Sequence, residues 1–249
     1  LGASQRSPSL GLPPDKLKVG IAWAGNPKHR NDAFRSMQWL DCQALLASDC
    51  ARFVSLQLNA PADAAAALGQ AANATDAAAH CTDLAATAAI IEQLDKPKFV
   101  VADTMDLWMN IAMNDLLSLL KRVDMLVLND SEARQLTGDE NVVSALPKLH
   151  KLGPKYVIVK KGEHGSILSS RRGLFVAPAF PLAKVEDPTG AGDSFVGSMT
   201  GYLAKTGGSV DTNVRKAILY GSVVASFCCE GFGLNRTTKT TRSEINQRL

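Results

Sequence analysis

The sequence predicts an α/β protein of three layers, α/β/α, in which a mostly parallel sheet lies between two layers of helices. Two observations predict this fold. Short apolar runs rich in β-branched residues recur along the chain, and segments with apolar residues at helical spacing separate them. This alternation is typical of a parallel sheet that is covered by helices on both faces. With 249 residues and 46% hydrophobic content, the chain can bury a sizeable core.

The first part of the chain begins with a strand, a helix and a strand. After a leader rich in proline and serine, residues 1–16, which we expect to be flexible, Leu17–Gly25 and Arg52–Leu58 have the apolar pattern of buried parallel strands. Between them, Ser36–Ser48 places apolar residues at helical spacing. From Ala60 to Ala89 the chain is dominated by alanine, which favours helix but offers little bulk for a core. We therefore expect loosely packed helices there.

The rest of the chain continues the alternation more clearly. Three apolar runs predict parallel strands, at Pro97–Thr104, Asp124–Asp130 and Pro154–Gly162. Helical patterns predict three helices, at Met109–Val123, Gly192–Lys205 and Asn213–Gly231. The segments Gly165–Ser170 and Gly173–Ala177 are close enough in sequence to form a hairpin, which we place at the edge of the sheet.

Composition and charge exclude several classes of function. The 27 Lys and Arg residues and 24 Asp and Glu residues give a net charge of +3, and the basic residues are scattered, so no nucleic-acid partner is predicted. No apolar run reaches the roughly 18 residues of a membrane span, and the first residues lack the order of a secretory signal. We therefore expect a cytoplasmic protein without a membrane partner. The five cysteines have no metal-type spacing, which predicts reduced thiols. Nothing indicates the oligomeric state.

The stretch EDPTGAGDSF, Glu186–Phe195, combines glycines with an acid where a helix begins. Glycines at 190 and 192 leave backbone amides uncovered, so a phosphate can approach them at a helix N-terminus. Asp193 would be ionised near the positive end of the helix dipole and ready to accept a proton from a hydroxyl. A phosphate on the amides would place Asp193 beside the line of attack of that hydroxyl. The alternative is that Asp193 only caps a helix after a flexible turn.

The longer string DPTGAGDSF resembles the C-terminal signature of ribokinase-like (PfkB-type) carbohydrate kinases. The resemblance implies a ribokinase-like fold for residues 97–249, with Asp193 as the catalytic base. It also implies that the amides of Gly190, Ala191 and Gly192 form the anion hole. Asp187 and Thr189 of the same loop are implied contacts to the nucleotide. The implied activity is ATP-dependent phosphorylation of a sugar hydroxyl.

Two further segments extend this resemblance. The family keeps an Asn-x-x-Glu pair after a strand to arrange Mg²⁺ around the phosphates, and NDSE matches it, so Asn129 and Glu132 are implied metal residues and ATP and Mg²⁺ implied cofactors. Without the resemblance, Glu132 is simply an acid in the first turn of a helix. VKKGEHG and FGLNR fall where the family contacts the nucleotide, which implies contacts from Lys161, Gly162, Gly165 and Asn235. Lys161 is equally explained as a solvated charge at a strand end.

The first part of the chain resembles a different family. Lys18–Met37, Phe53–Gln57 and Asp83–Asp95 are similar to the Rossmann-like nucleotide-sugar-binding domain of GT-B glycosyltransferases, of the kind joined to tetratricopeptide repeats. This resemblance implies that the loop at 23–29 lies near a donor diphosphate, although exposed loop charges explain its basic residues as well. The two resemblances meet near residues 95–103. We therefore expect a chimera of residues 17–96 and 97–249, whose two segments share one sheet.

The functional hypotheses follow from what the first part lacks. The sugar site and the lid of a ribokinase-like enzyme have no counterpart between Leu1 and Lys96, and no sequence feature names the sugar. The leading hypothesis is an ATP-dependent carbohydrate kinase domain, either active or reduced to nucleotide binding. The alternatives are a non-catalytic chimeric α/β protein and a glycosyltransferase relic that binds a nucleotide-sugar.

Overall fold

The computed structural model describes residues 10–12, 17–21, 39, 46, 51–57, 60–81, 90, 99–104, 106–111, 113–233 and 235–249. The chain divides into two compact units, Leu1–Lys98 and Phe99–Leu249. This division lies two residues from the boundary expected between residues 96 and 97. The predicted glycosyltransferase-like loop at 23–29 lies outside the described residues, as do most of the leader at 1–16 and most of the predicted helix at 36–48.

The first unit contains a parallel three-stranded sheet. Strands β1 (Leu17–Ile21), β2 (Ala51–Ser55) and β3 (Ala74–Asp76) pair in the order β1-β2-β3, and helix α1 (Ala62–Gln70) lies between β2 and β3 in the chain. Strand β3 lies in the alanine-rich segment, where we expected helices, so that expectation is wrong at these residues. Pairing with β2 supplies backbone hydrogen bonds to residues 74–76, and this tertiary context overrides the helix preference of alanine.

The second unit contains a five-stranded mixed sheet in the order β4-β5-β6-β7-β8. Its strands are β4 (Val101–Asp103), β5 (Met125–Asn129), β6 (Tyr156–Lys160), β7 (Ser166–Ser170) and β8 (Gly173–Ala177). The first three are parallel and the last two are antiparallel, which confirms the predicted hairpin with β8 at the edge. The described strands thus pair in two separate sheets and not in the single shared sheet that we expected.

Helices cover both faces of this second sheet. The helices are α2 (Asp106–Ile111), α3 (Met113–Leu120), α4 (Asp130–Thr137), α5 (Val142–Lys151), α6 (Ala191–Thr206), α7 (Val210–Cys229) and α8 (Arg242–Arg248). Leu126 and Leu128 of β5 pack with residues of α3 to α5, whereas Met125 and Val127 pack with residues of α6 and α7. Because successive strand residues point to opposite faces, this alternation builds two cores. The three-layer α/β/α fold with a mostly parallel sheet is confirmed.

Two features of the packing bring polar residues to one edge of the sheet. The parallel strands β4, β5 and β6 end at Asp103, Asn129 and Lys160, so these three side chains lie at the same edge. Helix α6 packs closely against α7, since a Cβ atom on Gly221 would lie only 2.9 Å from the Phe195 carbonyl oxygen. Phe195 is buried in the core below the first turn of α6, which fixes the N-terminus of this helix.

Among the described residues, no helix is long and apolar enough to cross a membrane.

Candidate functional site

The glycine loop before α6 leaves some of its amides open. Gly190 adopts a left-handed conformation, with φ of 82° and ψ of 0°, and directly precedes α6. The Ala191 amide donates to the Pro188 carbonyl oxygen at 3.1 Å, so the expected contribution of this amide to an anion hole is wrong. Across the part of the chain that the structure describes, the amides of Gly190, Gly192 and Asp193 have no hydrogen-bond partner. A helix N-terminus with open amides attracts anions.

The side chains of Asp187 and Thr189 shape this loop. The Thr189 amide donates to Asp187 Oδ1 at 2.9 Å, and the Cys228 thiol donates to the Thr189 carbonyl oxygen at 3.4 Å. Hydrogen bonds from the Thr189 side chain and amide, together with the Gly233 amide, lower the pKa of Asp187 below its usual value. Both residues were expected to contact a nucleotide. That contact stays a prediction, and the structure shows that Asp187 holds the turn before Gly190.

Asp193 lies in the first turn of α6 with its side chain exposed. No described residue donates a hydrogen bond to its carboxylate, and no described cation pairs with it. The alternative in which Asp193 caps the helix is not observed, because α6 has Gly190 as its N-cap and no side-chain cap. The carboxylate is therefore free to accept a proton from a ligand hydroxyl.

Lys160 is a site residue that the sequence analysis missed. Its ammonium group donates to Oδ1 and Oδ2 of Asp103 at 2.9 and 2.8 Å. A Cβ atom on Gly192 would lie 3.0 Å from Lys160 Nζ, so the ammonium lies directly beside the open end of α6. The sequence has two adjacent lysines, and the family resemblance implies a nucleotide contact from Lys161 and not from Lys160. The useful signal is strand register, since Lys160 pairs with Asn129 at the carboxyl end of β6.

Asn129 and Glu132 form a capping box at the start of α4. The Glu132 amide donates to Asn129 Oδ1 and the Asn129 amide donates to Glu132 Oε2, both at 2.8 Å. The Thr104 hydroxyl donates to the same Oε2 at 3.1 Å. Burial raises the pKa of the Glu132 carboxyl above its usual value. Glu132 thus lies in the first turn of α4, and its Oε1 has no hydrogen bond to any described residue.

The oxygen atoms at this edge are of the kind that Mg²⁺ prefers. In the described ranges, no group of three or more His, Cys, Asp and Glu side chains is placed to hold a metal ion. Glu132 nonetheless has one oxygen, Oε1, without a hydrogen bond to any described residue. A magnesium ion usually keeps several waters and binds through one or two carboxylates together with substrate phosphates. Glu132 and Asn129 fit an ion held in that way.

The loop after β6 contains two glycines with different roles. The Lys161 amide donates to the Gly165 carbonyl oxygen at 2.7 Å, which closes the turn at 162–164. A Cβ atom on Gly165 would lie 2.0 Å from the Ala177 carbonyl oxygen, whereas one on Gly162 would meet nothing within 4 Å. Packing therefore requires glycine at 165 whether or not a ligand binds. Lys161 is half-buried without a described partner for its ammonium group, and Asn235 is exposed.

A cleft of about 780 Å³ lies within the second unit, and Gly192, next to Asp193 in the chain, is part of its lining. Its polar end is formed by Asn129, Lys160 and Gly192, and Gly162 and Gly165 line its side. The remainder is largely apolar and includes Phe180, Leu182, Val185 and Ala225. The cleft can therefore accept a ligand with an anionic group at one end and a flat apolar group at the other.

Comparison with known proteins places this cleft in context. A sequence profile described as pfkB family carbohydrate kinase matches residues 43–241 of the chain. The chain is 37% identical over 134 residues to a bifunctional ribokinase/ribose-5-phosphate isomerase A of Fructilactobacillus sanfranciscensis, covering 51% of the chain and 24% of that protein. It is 40% identical over 98 residues to a cytidine kinase of Thermococcus kodakarensis, covering 38% of the chain and 34% of that protein. The matches thus span 24% and 34% of the length of these two relatives.

The fold is similar to that of solved kinases. The crystal structure of aminoimidazole riboside kinase from Salmonella enterica superposes with a TM-score of 0.56 at 24% identity, covering 67% of this chain and 58% of that one. This likeness supports the ribokinase-like fold. The profile match begins at residue 43, inside the segment that resembles a glycosyltransferase. Neither the profile nor the three proteins compared supports a fusion with a glycosyltransferase.

Proposed function

The chain belongs to the pfkB family of carbohydrate kinases, and on this premise we propose that its cleft binds ATP with Mg²⁺ for phosphoryl transfer to a sugar hydroxyl. The observation that carries the proposal is the end of α6, where the open amides of Gly192 and Asp193 lie beside an unpaired carboxylate. An anion binds such amides, and the carboxylate accepts the proton of the attacking hydroxyl.

The nucleotide is oriented by the two ends of the cleft. The phosphates lie toward Gly192 and Lys160, and the adenine lies in the apolar part beside Phe180 and Val185. Asn235 is exposed shortly after α7, which leaves it available as the proposed contact to the base. Gly162 lines the cleft and permits close approach of backbone to the phosphates or ribose.

The proposed reaction needs little covalent chemistry from the protein. A hydroxyl oxygen of the acceptor forms a bond to the γ-phosphorus as the bond from phosphorus to the bridging oxygen of ADP breaks, and Asp193 takes the hydroxyl proton. The Gly192 and Asp193 amides stabilise the charge that develops on the phosphoryl oxygens. When bound, Mg²⁺ neutralises phosphate charge, and Asn129 and Glu132 would hold it through their oxygens.

The acceptor is proposed from the relatives alone. The two curated relatives are named for ribose and cytidine, which makes these two compounds the first acceptors to test. Residues of the chain that would select among sugars were not found in the sequence, and the matched regions span only part of each relative. Nucleotide binding without transfer therefore stays the second candidate function, because it needs only the cleft.

The test separates binding from transfer. Titration calorimetry with ATP and Mg²⁺ measures binding, and a coupled assay of ADP formation with ribose, cytidine and a sugar panel measures transfer. Asp193→Asn should lower transfer by about 10² to 10⁴-fold and leave ATP affinity nearly unchanged. Asp115→Asn is the matched control, because Asp115 is also an exposed acid in the first turn of a helix, α3.

Each outcome assigns a function. Equal transfer by the Asp193→Asn variant and the parent protein would refute the role of Asp193. ATP binding without transfer to any acceptor would leave nucleotide binding as the function. Absence of ATP binding would refute the kinase proposal, and thermal stabilisation by UDP in place of ATP would favour the nucleotide-sugar alternative at residues 23–29.

A further inference from the structure

Lys160 occupies a position that does not suit helix stability. Its ammonium group lies beside Gly192, in the first turn of α6, where the partial charge of the helix is positive. Anions stabilise a helix N-terminus and cations do not. The side chain is also largely shielded, since Lys160 and Asp103 are 19% and 24% exposed. A cation held in this place is better explained by a ligand than by the fold.

Asp103 makes the arrangement tolerable when no ligand is bound. Its two oxygens accept from the Lys160 ammonium at 2.9 and 2.8 Å, which neutralises the charge next to the helix. An ammonium group has three N–H bonds, and these two contacts use two of them. Among the described residues, no acceptor is found for the third. An anion on the Gly192 and Asp193 amides would lie within reach of it.

We propose that Lys160 binds the phosphate group that lies on the Gly192 and Asp193 amides, and that Asp103 is the counter-ion that holds its ammonium there until the nucleotide arrives. The inference rests on the proposed function and assigns a residue within that site. The glycine at 192 leaves room for the ammonium beside these amides, since a Cβ atom there would lie 3.0 Å from the ammonium nitrogen. Phosphate–ammonium hydrogen bonds are charge-assisted and are stronger than neutral ones.

A structural ion pair predicts a different outcome for mutations. If the pair only ties the end of β6 to the end of β4, removing either partner should weaken the protein and its ligand binding alike. If Lys160 binds phosphate, Lys160→Met should weaken ATP binding, whereas Asp103→Asn should leave it equal or stronger, because the ammonium is retained and no longer shared. The two partners of one ion pair then have effects of opposite direction.

The experiment compares ATP with adenosine, which has the base and ribose but no phosphate. By titration calorimetry, Lys160→Met should lower ATP affinity at least about 10-fold, the loss of one charge-assisted hydrogen bond, and leave adenosine affinity unchanged. Raising the salt concentration should weaken ATP binding less in this variant than in the parent protein. Lys155→Met is the matched control, because Lys155 lies at the other end of the same strand region and pairs with Asp124 at 3.0 Å.

The outcomes separate this inference from the proposed function. ATP affinity that is unchanged in Lys160→Met overturns the inference alone, as does an equal loss of ATP affinity in Lys160→Met and Asp103→Asn. A loss of adenosine affinity equal to that of ATP also overturns it. A parent protein that binds no ATP overturns both proposals. Melting temperatures show whether each variant is folded, and Lys160→Gln replaces Lys160→Met if the latter does not fold.

Discussion

Replacing Gly165 by alanine should destabilise the protein much more than the same replacement at Gly162. Both glycines have a positive φ, 81° at Gly165 and 56° at Gly162, so both replacements introduce backbone strain. They differ in the space around the new methyl group. At Gly165 the Cβ atom would lie 2.0 Å from the Ala177 carbonyl oxygen and 2.8 Å from the Ala179 amide nitrogen, whereas nothing lies within 4 Å at Gly162.

The magnitudes follow from these distances. Left-handed strain costs about 1 to 2 kcal/mol for alanine, and the stiffer unfolded chain offsets about 0.4 to 1 kcal/mol of it, so Gly162→Ala should cost about 1 kcal/mol. At Gly165, the ψ of −140° lies in a region that is nearly restricted to glycine, which costs about 1 to 3 kcal/mol. Moving the backbone after β8 adds about 1 to 3 kcal/mol, as in overpacked cores. After the same offset of about 0.4 to 1 kcal/mol, Gly165→Ala should therefore cost about 1 to 5.5 kcal/mol.

Urea unfolding followed by circular dichroism measures both variants against the parent protein. A loss of several kcal/mol at Gly165 is a large part of the typical total stability of about 5 to 15 kcal/mol, so the midpoint should shift clearly or the protein should not accumulate. If the two replacements lower the midpoint equally, the reasoning from the methyl group's surroundings is refuted. Loss of ATP affinity in Gly165→Ala without loss of stability would instead support the nucleotide contact that the sequence predicts for Gly165.

Two predictions concern pH. Burial, together with the hydrogen bond to Asp211 at 2.5 Å, raises the pKa of Tyr156 to about 12, so the stability that it contributes is complete below its ordinary value of 10.0 and is lost as pH rises toward about 12. Tyr156→Phe should flatten the fall of the urea midpoint across this range, and an unchanged fall would contradict the assignment. Burial also raises the pKa of Glu132, and a metal needs the ionised form, so the gain in ATP affinity on adding Mg²⁺ should grow as pH rises through that pKa. Glu132→Gln should abolish this gain, measured by calorimetry with and without Mg²⁺, whereas a gain that persists would remove Glu132 from the metal site.

The sheet of the second unit could be predicted because its strands are nearly continuous apolar runs. Met125 to Leu128 are all fully buried, and a continuous apolar run of this length is typical of a central strand that is covered on both faces. Strand β3 could not be predicted in the same way. Its residues are Ala74, Thr75 and Asp76, which carry no apolar pattern, and only their pairing with β2 makes them a strand. The local sequence pattern therefore cannot predict a strand whose formation depends only on pairing with a neighbouring strand.

Site residues could be predicted from the sequence where their position depends only on neighbouring residues in the chain. Asp193 follows the glycines directly, so its position at the helix N-terminus was predictable from the sequence. Ala191 was not, because its amide turns back to Pro188 through a bend that the sequence does not reveal. Lys160 and Lys161 are indistinguishable as letters. The contact that separates them is made with Asp103, 57 residues away, and depends on how β4, β5 and β6 align.

The unpaired hydrogen-bond donors at the polar end of the cleft favour an anionic ligand over a neutral one. Most polar groups there already have partners: Asn129 bonds Glu132, Glu132 bonds Thr104, and Lys160 bonds Asp103. The donors without described partners are the Gly192 and Asp193 amides and one N–H bond of Lys160, and the acceptors without described partners include the carboxylate of Asp193 and Oε1 of Glu132. A neutral ligand has less negative charge to offer these donors and the positive end of the helix. A phosphate satisfies the donors, while a hydroxyl beside it satisfies Asp193, and this pair of requirements is what a phosphoryl-transfer site must meet.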